Sequence, residues 1–327
     1  MSKINPDYVR STLNTIKDDK HLIKWVTRNK NNPIYIETKY DGECCFVQKE
    51  NDEIFVSNKG KTTYDKKYFL DRGHDDFYNN LLNAIEHDGV YKTEFIAGHG
   101  KVDEFNLYQS AIADADKGTL QAIVYDVIIF GDVDISNEPL SKRKDVLIQG
   151  LNQNDSCMLA DSWEVEANTT IEQKMDKIND TFDVVTENGY EGIILKSDTG
   201  DWIKKKVTRT IDAVVIGVKK TKEYIQNGTG RSFLLGLLED DKFRIIGAVS
   251  SGFAIPDLDF MRKNTYIQNS FNVTNPDSTK LDDYVALEPE ICLEIDYLSM
   301  GAKLRQPRMM RIRHDKTKDT CKVDQVC

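Results

Sequence analysis

The stretch Glu37-Thr38-Lys39-Tyr40-Asp41-Gly42 decides how the rest of the 327-residue chain is read. Pro33-Ile34-Tyr35-Ile36 leads into it as a strand, and Asp41-Gly42 is a tight-turn signal. A lysine at a strand end, just before such a turn, can project its amine into a cleft. A neutral amine is a nucleophile, but an ordinary lysine titrates near about 10.4. Neighbouring cations disfavour the ammonium and can depress that value. Lys204 and Lys206, at alternate positions after Trp202, supply candidates, because alternate strand residues point the same way. The same six residues also read as a surface strand closed by an ordinary Asp-Gly hairpin.

Working outward, residues 7–30 read as helical, with Val9, Leu13, Ile16, Leu22, Ile23 and Val26 near helical spacing. Residues 43–48 and 54–56 read as strands, 75–87 as a helix ended by Asp88-Gly89, 91–96 as a strand and 103–114 as a helix. Residues 122–130 read as a buried strand, 139–151 and 170–188 as helices, and 192–196 and 202–206 as short strands. Beyond about residue 208 short β segments dominate, at 213–218, 233–238, 243–249 and 291–297. Turn signals such as Asn227-Gly228-Thr229-Gly230 separate them, which fits a small barrel. The expected organisation is two domains, residues 1–207 and 208–327, each large enough to bury its own core.

Apolar residues make up 39% and charged residues 30%, a globular composition. The apolar run at 122–130 is broken by Asp126 and is too short for a membrane span. The opening residues MSKINPDYVR lack an apolar core, so no secretory signal is expected. The net charge of −10 excludes a uniformly basic nucleic-acid binder but leaves room for a locally basic groove. Residues 299–327 hold eight Lys/Arg against three Asp, and residues 201–222 hold seven against two. Taken alone, both read equally as solvated faces. The six cysteines form no C-x-x-C, and adjacent Cys44 and Cys45 face opposite ways on a strand. With five histidines, a zinc site has little support. Reduced thiols and a cytoplasmic setting are expected.

Six strings then occur in order: Lys39-Tyr-Asp-Gly42, Glu94 in Lys92-Thr-Glu-Phe95, Tyr125 in Val124-Tyr-Asp126, Glu191-Gly-Ile-Ile-Leu-Lys196, Trp202-Ile-Lys204-Lys-Lys206, and Arg305-Gln-Pro-Arg308-Met-Met-Arg311-Ile-Arg313-His-Asp315-Lys316. Together with Glu138-Pro-Leu-Ser-Lys-Arg143 and Asp212-Ala-Val-Val-Ile-Gly217, they resemble the covalent nucleotidyltransferases, most closely the ATP-dependent DNA ligases. The resemblance implies an α+β nucleotidyltransferase domain, with antiparallel sheets and flanking helices, followed by an all-β OB-fold domain. It implies that Lys39 takes AMP from ATP, that AMP passes to the 5′-phosphate of a nick in duplex DNA, and that the 3′-hydroxyl then displaces it. Lys196, Lys204 and Lys206 would contact the α-phosphate, and Glu94 and Glu191 would be ligands of Mg²⁺ or ribose. Tyr125 takes the place of an aromatic stacked on adenine, Glu37 lies beside the adenine edge, and Asp41 orients the loop or nucleotide. Arg313, Asp315 and Lys316 would swing over ATP to meet the departing pyrophosphate. Arg305, Arg308, Arg311 and Lys59 would contact DNA phosphates.

Three departures stand out. Cys44 and Asn58 occupy positions where the family usually carries arginine, and only residues 197–201 separate Lys196 from Trp202. Lys59 can substitute for the second arginine only as a point charge. These departures bear on nick sensing and rate more than on lysine adenylylation, and they suggest a divergent, virus- or phage-encoded enzyme; a role in DNA repair, replication or recombination and a monomeric state are expected. The alternatives are an RNA ligase, an mRNA-capping guanylyltransferase, or a degenerate ligase-shaped nucleic-acid-binding protein. The segment between Ile216 and Phe233 leaves little room for a DNA-encircling insertion, and an N-terminal DNA-binding domain is not expected. Weak, salt-sensitive binding to intact duplex, or a recruiting protein, is therefore expected. Titration of unnicked DNA at physiological salt checks this, and tight binding would contradict it.

Overall fold

The computed structural model describes residues 13–16, 18–58, 62–276 and 278–326. The chain divides into two compact units, Met1–Val207 and Thr208–Cys327. No described helix is long and apolar enough to cross a membrane. None of the five described cysteines forms a disulfide.

The first unit begins with β1 (Asn14–Thr15), α1 (Asp19–Arg28), β2 (Ile34–Lys39), β3 (Glu43–Glu50), β4 (Glu53–Asn58) and β5 (Thr63–Tyr64). It continues with α2 (Lys66–Leu70), α3 (Asp75–Ala84), β6 (Gly89–Ala97), α4 (Phe105–Ala113), β7 (Leu120–Phe130) and β8 (Val133–Asp134). It ends with α5 (Leu140–Gly150), β9 (Cys157–Leu159), β10 (Ser162–Val165), α6 (Ile171–Glu187), β11 (Gly192–Ser197) and β12 (Trp202–Lys206). One sheet runs β1-β12-β11-β2-β10, and a second runs β5-β4-β3-β6-β7-β8 with β9 on β7.

Strand periodicity explains the layering. Ile34 and Ile36 of β2, Ile193 and Leu195 of β11, and Ile203 of β12 face one way and pack on Leu22, Trp25 and Val26 of α1 and Ile178 and Val185 of α6. Each such buried side chain contributes about 1.5–3 kcal/mol. The residues between them are left to face the other way, toward the second sheet. That sheet has its own core on its far side, with Phe69, Phe77, Leu81 and Tyr108 of the helices against Val47, Val56, Tyr91 and Phe95 of the strands.

The helix expected at residues 7–30 is shorter. Residues 7–12 lie outside the described residues. Asn14 and Thr15 pair in parallel with Ile203 and Lys204, and the helix starts only after Asp18, whose side chain accepts from His21 N at 2.8 Å. Leu13 and Ile16 therefore serve different surfaces, a cleft and the helix-backed core. The sheets are antiparallel apart from three short strands: β1 on β12, β9 on β7, and one in the second unit.

The second unit holds β13 (Arg209–Lys219), α7 (Lys222–Asn227), β14 (Phe233–Glu239), β15 (Lys242–Val249), α8 (Ile255–Asn264), β16 (Val273–Thr274) and β17 (Tyr284–Ala286). Then come β18 (Cys292–Tyr297), β19 (Ser299–Met300), β20 (Leu304–Arg305) and β21 (Arg308–Ile312). Its main sheet runs β16-β15-β14-β13-β18-β21, with β17 on β13, around a core that includes Ile211, Val215, Leu235, Ile245 and Leu293. The unit is β-rich rather than purely β. Helix α8 has a weak apolar signature, since Met261 alone of its ten residues is buried.

Gly192 shows how closely the strands approach. Its φ is +147°, and a Cβ there would meet the Lys205 carbonyl oxygen at 2.2 Å. Gly192→Ala is expected to lower the unfolding free energy by about 2–3 kcal/mol. Urea denaturation checks this, and an unchanged midpoint would contradict it.

Candidate active site

The inward faces of β2, β11 and β12 form three rows across the sheet. Lys39, Gly192 and Lys206 are neighbours in register, then Glu37, Ile194 and Lys204, then Tyr35, Lys196 and Trp202. Gly192 has no side chain, so Lys39 and Lys206 both reach the adjoining Glu191. Lys39 Nζ donates to Glu191 Oε2, and Lys206 Nζ lies 3.5 Å from Oε1. Burial would raise Glu191, but Lys39 and then Lys206 outweigh it and hold the carboxyl below its ordinary value.

A second buried carboxylate organises the other end of the cleft. Glu37 is 2% exposed. It accepts from Lys144 Nζ of α5 at 2.6 Å and pairs with Lys196. Lys196 Nζ also lies 4.2 Å from the Trp202 ring centroid and 4.6 Å from that of Tyr125. Burial draws Lys196 down to about 8 against the pull of Glu37. The lysines expected to act together thus fall into two groups, Lys39 with Lys206 at Glu191 and Lys196 at Glu37. Lys204, between them, lines the cleft.

The facing sheet contributes Cys44 and Phe46 of β3, Lys92 and Glu94 of β6, and Ile123 and Tyr125 of β7. In the β6–β7 register Lys92 opposes Asp126 and Thr93 opposes Val124, so Tyr125 is the extra residue of a bulge. A bulge re-aims its side chain, and here the ring turns into the cleft. Its hydroxyl lies 3.3 Å from Cys44 Sγ. Arg143 of α5 anchors the bulge by a forked contact to buried Asp126, at 2.8 and 3.3 Å.

The Lys39-Tyr-Asp-Gly42 turn is fixed by backbone approach. Asp41 N donates to Gly100 O at 2.8 Å, and a Cβ on Gly42 would meet Phe95 O at 2.2 Å. Asp41 is buried beside Glu94. Glu94 is partly buried, and desolvation pushes it up to about 7. Lys39 opposes that rise, while Glu191 and Asp41 add to it.

Asn58, at the second arginine position, donates to Glu43 Oε1 at 2.9 Å inside a cluster with Tyr64 and Tyr108. Lys59 lies outside the described residues. In the second unit Arg313 is clasped by three carboxylates: Asp315 at 2.7 and 2.8 Å, Asp212 at 2.8 Å and Glu294 at 3.2 Å. Asp315 is held well below the carboxylate range by Arg313. Arg311 shares Glu294 at 2.8 Å, Lys316 lies 3.7 Å from Asp212, and exposed Arg308 stands opposite Asp296. Arg305 is half-buried on β20.

Lys92, Lys144, Asp126 and Arg143 were not singled out from the sequence. Lys144 directly follows the Glu138-Pro-Leu-Ser-Lys-Arg143 string, but nothing local says that it meets Glu37, 107 positions away.

Residues 16–211 match the ATP dependent DNA ligase domain, and residues 226–316 match the ATP dependent DNA ligase C terminal region. The chain belongs to the ATP-dependent DNA ligase family. This ligase-family chain is 23% identical over 328 residues to the DNA ligase of Sulfurisphaera tokodaii, covering 86% of its own length and 52% of that protein. It spans about half the length of the curated relatives it matches. A solved structure named Pmar-Lig_PreS3 superposes with a TM-score of 0.62 at 14% identity, over 89% of this chain and 66% of that one. A structure from work on DNA binding with a minimal scaffold in Lig E DNA ligases gives 0.56 at 13% identity, over 87% and 94%. The fold is a ligase nucleotidyltransferase domain followed by an OB-fold domain.

Glu94 gives the cleft a pH signature. In the folded chain it keeps its proton up to about 7, whereas its ordinary value is 4.5. The folded state therefore gains from Glu94 below about 4.5, and that gain is lost as pH rises to about 7. His74, pushed below 6.5 by burial, tilts stability the other way. Denaturation with divalent ions chelated should show Glu94→Gln losing less stability than wild type between about pH 5 and pH 8. Parallel curves would contradict the assignment.

Proposed function

We propose that this chain seals nicks carrying a 5′-phosphate and a 3′-hydroxyl in duplex DNA, using ATP through a lysyl-AMP intermediate. The observation that carries the reading is the Lys39–Gly192–Lys206 row with Glu191 bridging both amines. Lys39 Nζ attacks the α-phosphorus of ATP, the bond to the β-phosphate oxygen breaks, and pyrophosphate leaves. Glu191 is the acceptor beside the proton that Lys39 gives up. AMP then passes to the nick's 5′-phosphate and frees Lys39. The 3′-hydroxyl attacks that phosphate, forms the phosphodiester and releases AMP. Such chemistry depends on position and charge more than on proton transfer. Lys204 and Lys206 are positioned for phosphate oxygens, and the Tyr125 ring and Glu37 for the base. Trp202 Nε1 is buried with no hydrogen-bond partner among the described residues, a donor available to a nucleotide.

The residues also fit a magnesium ion that arrives with the nucleotide. Glu94 lies within electrostatic reach of Lys39, Glu191 and Asp41, while no cluster of three ligating side chains is preformed among the described residues. Glu94 and Glu191 would hold the ion, with phosphate and water completing its shell. Bound there, it would neutralise phosphate charge. On the second unit, Arg313, Asp315 and Lys316 are assigned to pyrophosphate and Arg305, Arg308 and Arg311 to DNA, and Lys59 of the first unit is assigned to DNA as well. A monomer that works alone or with a recruiting protein completes the proposal.

Intact-protein mass after incubation with ATP, GTP or NAD plus Mg²⁺ tests the reading. An AMP adduct from ATP alone is expected, absent in Lys39→Ala, followed by sealing of nicked DNA. A GMP adduct would indicate capping chemistry. An unloaded protein that stays inert after stripping with pyrophosphate would indicate a binding module.

A further inference from the structure

The turn from Ser197, the last residue of β11, to Asp201 joins the two strands that carry Lys196, Trp202, Lys204 and Lys206. It closes on itself through Ser197 N to Asp201 O at 3.3 Å and Gly200 N to Ser197 O at 3.1 Å. Its two carboxylates leave it for different helices. Asp201 Oδ2 accepts from Arg28 at 2.5 Å and Asn29 at 3.2 Å, at the end of α1. Asp198 accepts from Ser141 N at 2.7 Å and Ser141 Oγ at 3.0 Å, in the first turn of α5.

The second contact has a physical reason. The residue before α5 is Pro139, whose side chain cannot cap the helix. The first-turn N–H groups lack partners within the helix, and that end favours a negative charge. Asp198 supplies the missing cap from another element. One turn further along α5, Lys144 reaches Glu37, and Glu37 holds Lys196. Lys196 is two residues from Asp198. The contacts close a ring: Lys196, the connection, Asp198, Ser141, α5, Lys144, Glu37 and back to Lys196.

We propose that Asp198 is a positioning residue for nucleotide binding, latching α5 so that Lys144 holds Glu37 and Lys196 at the base end of the cleft. It acts through Lys144 and touches no substrate. The proposal rests on the ligase reading only for the identity of the nucleotide.

The test measures ATP affinity by calorimetry in a Lys39→Ala background, and the ATP dependence of lysyl-AMP formation in the otherwise wild-type chain. Asp198→Ala is expected to weaken ATP binding about tenfold, the loss that follows from one half-buried charged acceptor. KM for ATP should rise by a similar factor, with a smaller change in the saturating rate. Asp198→Asn keeps an oxygen for the Ser141 N–H and should recover most of the affinity. Adding Asp198→Ala to Lys144→Met should cost nothing further, because both break the same ring. Melting temperature is followed in parallel. The latch is overturned if Asp198→Ala lowers the melting temperature but leaves ATP affinity within about twofold, or if the Asp198 and Lys144 losses multiply. A wild-type chain that binds ATP but forms no adduct would overturn the ligase reading, while the affinities would still judge the latch.

Discussion

Desolvating a carboxylate without a cation beside it is among the largest costs a fold can carry. Among the sealed carboxylates of the nucleotidyltransferase unit, Glu37 and Glu191 are each 2% exposed and each bridged by two lysines. The two ends of the cleft meet that requirement. Strands β2, β11 and β12 must lie side by side in one register, because only then do Lys39 and Lys206 flank Gly192 and Lys196 come level with Trp202. Helix α5 must lie close enough for Lys144 to reach Glu37. The paired charges that make the fold tolerable are thus the same charges a triphosphate would meet.

Much of this was legible in the chain itself. The alternation of Ile34 and Ile36 with Tyr35 and Glu37, and of Ile203 with Trp202 and Lys204, gives both the strands and the face they bury. The ordered strings from Lys39 to Lys316 pointed to the family that the matches at 16–211 and 226–316 establish. What stayed hidden depends on distance along the chain. No local pattern pairs Lys144 with Glu37, or Asp212 with Arg313 across 101 positions. Helix α1 was overextended because Leu13 and Ile16 fall at helical spacing, although Asp18 caps the helix after them. Helix α8 was missed because nearly all of its residues are partly or fully exposed.

The OB-fold unit handles its cations differently. Its basic segment is largely matched within the unit itself: Asp212, Glu294 and Asp315 surround Arg313, and Arg311 shares Glu294. Asp212 comes from the Asp-Ala-Val-Val-Ile-Gly string, so that string does more than open a strand. It places a carboxylate under the guanidinium. A raw count of Lys and Arg therefore overstates the field that a phosphate backbone would meet.

The bulge at Tyr125 has a consequence for how this chain can change over generations. A substitution there alters one ring and leaves the ladder on either side unchanged. Loss of one codon is a different event: it would remove the unpaired residue and let β7 pair with β6 without a shift at this point. The cleft would then lose its aromatic wall without any neighbouring side chain being mutated. Length at this point in the strand therefore matters to the cleft as much as identity does.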